Sequence, residues 1–133
     1  MIVDTGKARI SLFNDKENII VVDIYANGEL GMNDVDDIHA GIEKFDVSIP
    51  VDTICVKSGN NYLSKEAFEY SLEHNCIHNQ VVYVIKHMED IHFPSHAQET
   101  YFKEHLVDYC TSLDEAFRLI KNSSHQPVKH CPS

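Results

Sequence analysis

Glycine is scarce in this chain, five residues in 133, and no two of them form a G-x-G. A loop that cradles phosphate depends on such spacing, because glycine lets the backbone close around the anion. Nucleotide hydrolysis therefore has no support. Basic residues are also few: 11 Lys and Arg stand against 21 Asp and Glu, a formal charge of -10, and no basic patch offsets it. A nucleic-acid backbone would be repelled, so no nucleic-acid partner is expected. No apolar run approaches the roughly 20 residues of a membrane-spanning helix. The first residues, which include Asp4 and Lys7, do not form a secretory leader. The expectation is a cytoplasmic protein with no membrane insertion. The four cysteines, Cys55, Cys76, Cys110 and Cys131, have no paired spacing. Three fall on elements expected in the core, where reduced thiols pack as small hydrophobes, so no disulfide is expected.

What is present is a rhythm of two apolar runs followed by three helix-then-strand cycles and a last helix. In Ala8 to Phe13, Ala8, Ile10 and Leu12 alternate with Arg9 and Ser11, the pattern of an edge strand with one buried face. Ile19 to Tyr25 is nearly continuous in apolar residues, as in a strand covered on both faces. The polar segment from Asn14 to Asn18 joins them as an antiparallel hairpin. After a turn at Asn27-Gly28, Val35, Ile38, Ile42 and Phe45 mark one face of a helix capped at Asn33, and the acids Asp34, Asp36 and Asp37 suit its first-turn dipole. Pro50 closes that connection. Thr53 to Val56 reads as a buried strand, broken at Gly59-Asn60-Asn61. A second helix starts near Ser64, carries Ala67, Phe68, Ser71, Leu72 and Cys76 at helical spacing, and stops by Asn79 before the strand Val81 to Ile85.

The third cycle begins after Pro94, with Ser95 and Gln98 as a capping box and a helix to about Leu106. Val107 to Cys110 is a short strand. Ser112 and Glu115 open a last helix whose face is Leu113, Ala116, Phe117 and Ile120. The fold class is α/β, in the order ββαβαβαβα, with one domain over residues 1–122 and a tail over residues 123–133. A chain of 133 residues, 43% of them hydrophobic, can bury a normal core.

Nine histidines raise the question of metal, most visibly in His74-x-Cys76-x-His78, in His92 with His96, and in His130-Cys131. A helical ligand pair needs i, i+4 positions on one face, and Pro94 breaks the turn between His92 and His96. His74 and His78 have the spacing but fall where the helix ends. Surface histidines are the simpler reading, with a physiological metal site as the first alternative and a proton-sensitive cluster as the second. Cys76 is flanked by histidines at i±2, which point elsewhere on a helix, so it reads as a core or helix-end thiol and not a nucleophile. No catalytic residue, cofactor or metal is expected. Ile91, Phe93, Tyr101 and Phe102 surround the third helix. Their simplest role is core packing, but they could also line an apolar cavity beneath residues 91 to 106.

The hairpin, three cycles and last helix resemble the STAS fold, named for sulfate transporters and anti-sigma-factor antagonists, over about Gly6 to Ile120. The bacterial STAS/SEC14 domain-containing branch is similar at Leu63-Ser64-Lys65-Glu66-Ala67 and at Asp114-Glu115-Ala116-Phe117. The resemblance implies a mostly parallel sheet with helices on both sides, used for protein docking or ligand binding, without enzyme activity. In anti-sigma-factor antagonists, a serine in an Asp-Ser-Ser-Gly-like motif at the junction between central strand and helix is phosphorylated. Here that junction is Lys57-Ser58-Gly59-Asn60-Asn61-Tyr62-Leu63-Ser64 and lacks the motif. By position the resemblance carries the role to Ser64, and secondarily to Ser58, beside Gly59 and Asn60. The expected function is a regulatory binding module with a protein partner. A small lipophilic ligand is the alternative, and a homodimer is a further candidate assembly.

Because the ligand spacings are poor and the core is large enough to fold alone, chelator treatment is expected to leave the melting temperature unchanged. A fall of several degrees, recovered with zinc, would overturn this.

Overall fold

The computed structural model describes residues 1–13, 18–84, 107–110 and 112–122. Within these the chain runs β1 (Val3–Asp4), β2 (Ala8–Leu12), β3 (Ile19–Ile24), β4 (Gly28–Leu30), α1 (Met32–Glu43), β5 (Val51–Lys57), β6 (Asn61–Leu63), α2 (Lys65–Glu73), a 3-10 turn (Asn75–Ile77), β7 (His78–Val84), β8 (Val107–Cys110) and α3 (Leu113–Asn122). Six strands form one sheet in the order β1-β2-β3-β5-β7-β8, and β4 and β6 form a second, two-stranded sheet. β2 pairs antiparallel with β1 on one side and β3 on the other; β3, β5, β7 and β8 are parallel.

Strand periodicity divides the apolar residues between two cores. Ala8, Ile10, Ile20, Val22, Ile24, Cys55 and Ile42 belong to the core under α1. Ile19, Ile54, Val82, Ala116 and Ile120 belong to the core on the other side, under α3. The continuous run in β3 is thereby explained, since Ile19 and Ile20 are both buried but in different cores. α1 approaches β2 closely through Gly41: a Cβ there would lie 2.4 Å from Cδ1 of Ile10. α3 is capped as its sequence anticipates, with the Glu115 N–H donating to Ser112 Oγ at 3.2 Å.

Four expectations are corrected. β2 is not the edge, because β1 pairs with it at Val3↔Ile10 and Asp4↔Arg9. Asp4 holds the added strand by accepting from the Tyr25 hydroxyl at 2.7 Å and the Gly6 N–H at 2.8 Å. The turn at Asn27-Gly28 is the entry to β4, which pairs with a distant segment and so leaves no local signal. α1 is capped at Gly31 instead of Asn33, and the Asp34 carboxylate reaches back to accept the Gly31 N–H at 2.8 Å, the half of a capping box that a glycine cap permits. Lys7 Nζ lies 2.9 Å from the same carboxylate. Finally, Cys76 is disulfide-bonded, whereas Cys55 is free. α2 stops at Glu73, which leaves Cys76 half-buried in the 3-10 turn and not on a core-facing helical position. Ile85, the helix expected after Pro94 and the tail over residues 123–133 lie outside the described residues.

Ile54 is fully buried between β3 and β7. Ile54→Ala should cost about 2 to 5 kcal/mol in chemical denaturation, since a site enclosed by a sheet and a helix collapses little. A loss below about 0.5 kcal/mol would mean that the site closes over the missing atoms.

Candidate functional site

The candidate site lies where β3 and β5 leave the sheet at their C-terminal ends, the place where α/β sheets gather binding groups. β3 ends at Ile24 and β5 at Lys57, side by side in register. The two exits then pair again, as β4 with β6, at Gly28↔Asn61, Glu29↔Tyr62 and Leu30↔Leu63. Between the two ladders the segments Tyr25–Asn27 and Ser58–Asn60 cross.

Backbone proximity dictates the residue at the crossing. The Gly59 N–H donates to the Ile24 carbonyl at 3.0 Å. A Cβ on Gly59 would sit 2.2 Å from the Ala26 carbonyl oxygen and 2.6 Å from that of Tyr25. Those neighbours are main chain and cannot rotate away, so glycine is a steric requirement here. The Asn60 N–H donates to Asn27 Oδ1 at 2.8 Å, and the Gly28 N–H donates to the Asn60 carbonyl at 2.8 Å.

Asn61 locks the crossing. Only 2% exposed, its side-chain nitrogen donates to the carbonyls of Ile24 at 3.2 Å, Ala26 at 3.1 Å and Gly59 at 3.3 Å. The two N–H donors of this amide are shared among three main-chain acceptors, of which the Ile24 carbonyl also takes the Gly59 N–H; an unmet buried carbonyl would cost about 1 to 3 kcal/mol. The Asn61 carbonyl in turn accepts from Lys57 Nζ at 2.8 Å. Burial pulls the Lys57 ammonium below its usual range, and neighbouring Cys55 opposes that effect. Cys55, enclosed in the sheet, has its thiol pushed up to about 12 by burial and stays neutral.

Four sequence-predicted residues are brought to this end of the sheet, with different access. Ser58 is exposed and its hydroxyl donates to the Asp23 carboxylate, the residue before the end of β3. Asn60 is exposed, and Gly59 forms the close crossing. Ser64 is 8% exposed and acts as the cap of α2: its Oγ accepts the Ala67 N–H at 3.0 Å, while its own N–H donates to the Leu30 carbonyl at 2.9 Å. Such a cap contributes about 1 kcal/mol. Ile91, Phe93, Tyr101 and Phe102, the residues of the expected apolar cavity, lie outside the described residues. Sequence reasoning missed Asp23, Asn27, Lys57 and Asn61. The signal available was the recurrence of asparagine at both chain breaks, Asn27 and Asn60-Asn61.

The Ser58 hydroxyl is paired with the Asp23 carboxylate, and the site is a set of hydrogen-bonding groups held by main-chain contacts. Among the described residues no group of three His, Cys, Asp or Glu side chains could hold a metal ion, and no helix is long and apolar enough to cross a membrane.

No protein-family profile matches the chain, and no curated protein is significantly similar to it. Among solved structures, it is similar to an uncharacterised protein of the DUF3478 family with a SpoIIAA-like fold from Shewanella loihica, with 12% identity and a TM-score of 0.56, covering 90% of this chain and 98% of that one. The chain therefore has the SpoIIAA-like, STAS-type α/β fold.

Gly59→Ala should destabilise the protein by about 1 to 3 kcal/mol or more, because the methyl group must displace main chain. Urea denaturation measures this, and a loss below about 0.5 kcal/mol would show that the crossing is looser than its geometry.

Proposed function

We propose that this chain is a non-enzymatic regulatory binding module that docks a protein partner through the exposed end of its sheet around Asp23, Ser58 and Asn60. The observation that carries the reading is the contrast at that end between a locked frame and exposed polar groups. Asn61 and Gly59 fix the crossing, while Ser58 and Asn60 stand on its outer side. Groups held this way lose little conformational entropy when a partner binds.

Access separates the two serines as regulatory positions. A phosphate on Ser58 would face the Asp23 carboxylate and replace their hydrogen bond by repulsion between like charges. A phosphate on Ser64 would have to leave a buried cap and expose the first turn of α2. Ser58 is therefore the position at which added charge alters the docking surface without dismantling the helix start.

The test is quantitative affinity capture from the native cell extract with three baits: wild type, Ser58→Asp combined with Asn60→Arg, and Asp46→Arg in the exposed connection after α1. Proteins retained by wild type and by Asp46→Arg should be lost from the double variant at equal thermal stability. Identical retention by all three would defeat the reading.

A further inference from the structure

Away from the docking end, the seam between α1, α2 and the start of β7 gathers three imidazoles. His39, half-buried on α1, meets His78 at the start of β7 edge-on, with ring centroids 5.3 Å apart and an interplanar angle of 67°. His78 Nδ1 shares a hydrogen bond with Thr53 Oγ1 of β5 at 2.7 Å. His74, the C-cap of α2, lies under the Tyr70 ring at 4.1 Å and donates from Nδ1 to the Tyr70 carbonyl at 2.9 Å. Tyr70 in turn crosses to α1, where its hydroxyl donates to the Asp36 carboxylate.

We propose that this seam is a proton-operated release for α2, in which charging His39 frees the C-terminal end of the helix from α1 while its Ser64 end stays capped. Two effects act in the same direction. A charged His39 faces His78 across the ring contact and His74 at the end of α2, so any further protonation adds repulsion. It also gains an acceptor on its own helix: Asp36 lies three residues earlier, a neighbouring position on one helical face. Asp36 is the carboxylate that holds Tyr70, so a new pairing with His39 competes with the bond between the helices.

The charged and titratable groups acting on His39 are Asp36 and Glu43 from α1 and His74 from α2, with His78 in ring contact from β7. Burial holds the His39 imidazole below its ordinary value; Asp36 opposes this, His74 adds to it, and Glu43 opposes it again. A histidine depressed in the folded state binds fewer protons there than in the unfolded chain. Its contribution to stability is therefore complete above the ordinary imidazole value, and is lost as pH falls from that value through the depressed one.

The experiment is amide hydrogen exchange on the full chain at about pH 7.5 and about pH 5, the range in which imidazoles titrate, corrected for intrinsic rates. Amides near the end of α2, Tyr70 to Glu73, should exchange severalfold faster relative to those of β3 and β5 at the lower pH. His39→Gln, which cannot take the proton, should remove the difference, and Tyr70→Phe should produce the faster exchange already at neutral pH. An unchanged ratio in wild type, or an equal change in His39→Gln, would overturn the proposal. Should His39→Gln not fold, the His39 imidazole titration followed by NMR in wild type decides. A midpoint that coincides with that of α2 exchange supports the release, and a separate midpoint overturns it.

Discussion

The parallel pairing of β3 with β5 is the constraint from which the rest of the molecule follows. Both strands are buried on two faces, so the sheet needs cover on each side and the chain must cross over between parallel neighbours. α1 covers one face, with α2 packed against α1 and β6, and α3 supplies cover on the other. The same pairing brings the C-terminal ends of β3 and β5 together, where the two exiting segments must cross within a few residues. Gly59 is the residue whose size permits that crossing, and the buried Asn61 amide is shared among the carbonyls of Ile24, Ala26 and Gly59 around it. The proposed docking end is thus a by-product of the parallel pairing.

α2 links the two regions of chemical interest. Its N-terminal end is tied into the crossing by Ser64, whose N–H meets the Leu30 carbonyl and whose hydroxyl caps the helix. Its C-terminal end is tied to α1 by the Tyr70–Asp36 bond. The first tie is buried and depends on no side-chain charge. The second is exposed at its tyrosine bond and titratable. Motion at one end of α2 need not disturb the other, which is why the proposed proton-sensitive seam is compatible with the proposed docking frame.

Much of the fold was legible because its signals are local. The alternation in Ala8 to Leu12, the double burial of Ile19 to Ile24, the Ser64 cap and the Ser112 start of α3 each depend on residues a few positions apart. The short strands β1, β4 and β6 were not legible, since two or three residues have no period and pair with partners elsewhere in the chain. The cap of α1 was misplaced for a related reason. Asn33 has the better capping side chain, but the chain leaves β4 at Leu30 and must turn at once, and the Asp34 carboxylate satisfies the Gly31 N–H there.

The sequence by itself determined the α/β class, the order of the main strands and helices among the described residues, and most of the buried apolar positions, because apolar periodicity is written in adjacent positions; Leu113, expected on the buried face of α3, is exposed. It also located the Ser58 to Ser64 junction. Only the tertiary structure decided that Ser58 is exposed against Asp23 while Ser64 is buried as a cap. It alone showed that Gly59 faces two main-chain carbonyls, that Asn61 is the lock, and that His39 and His78 share a seam. Each of these depends on contacts between residues far apart in the chain, and the distance between such residues is set by the sheet register, which no local pattern contains.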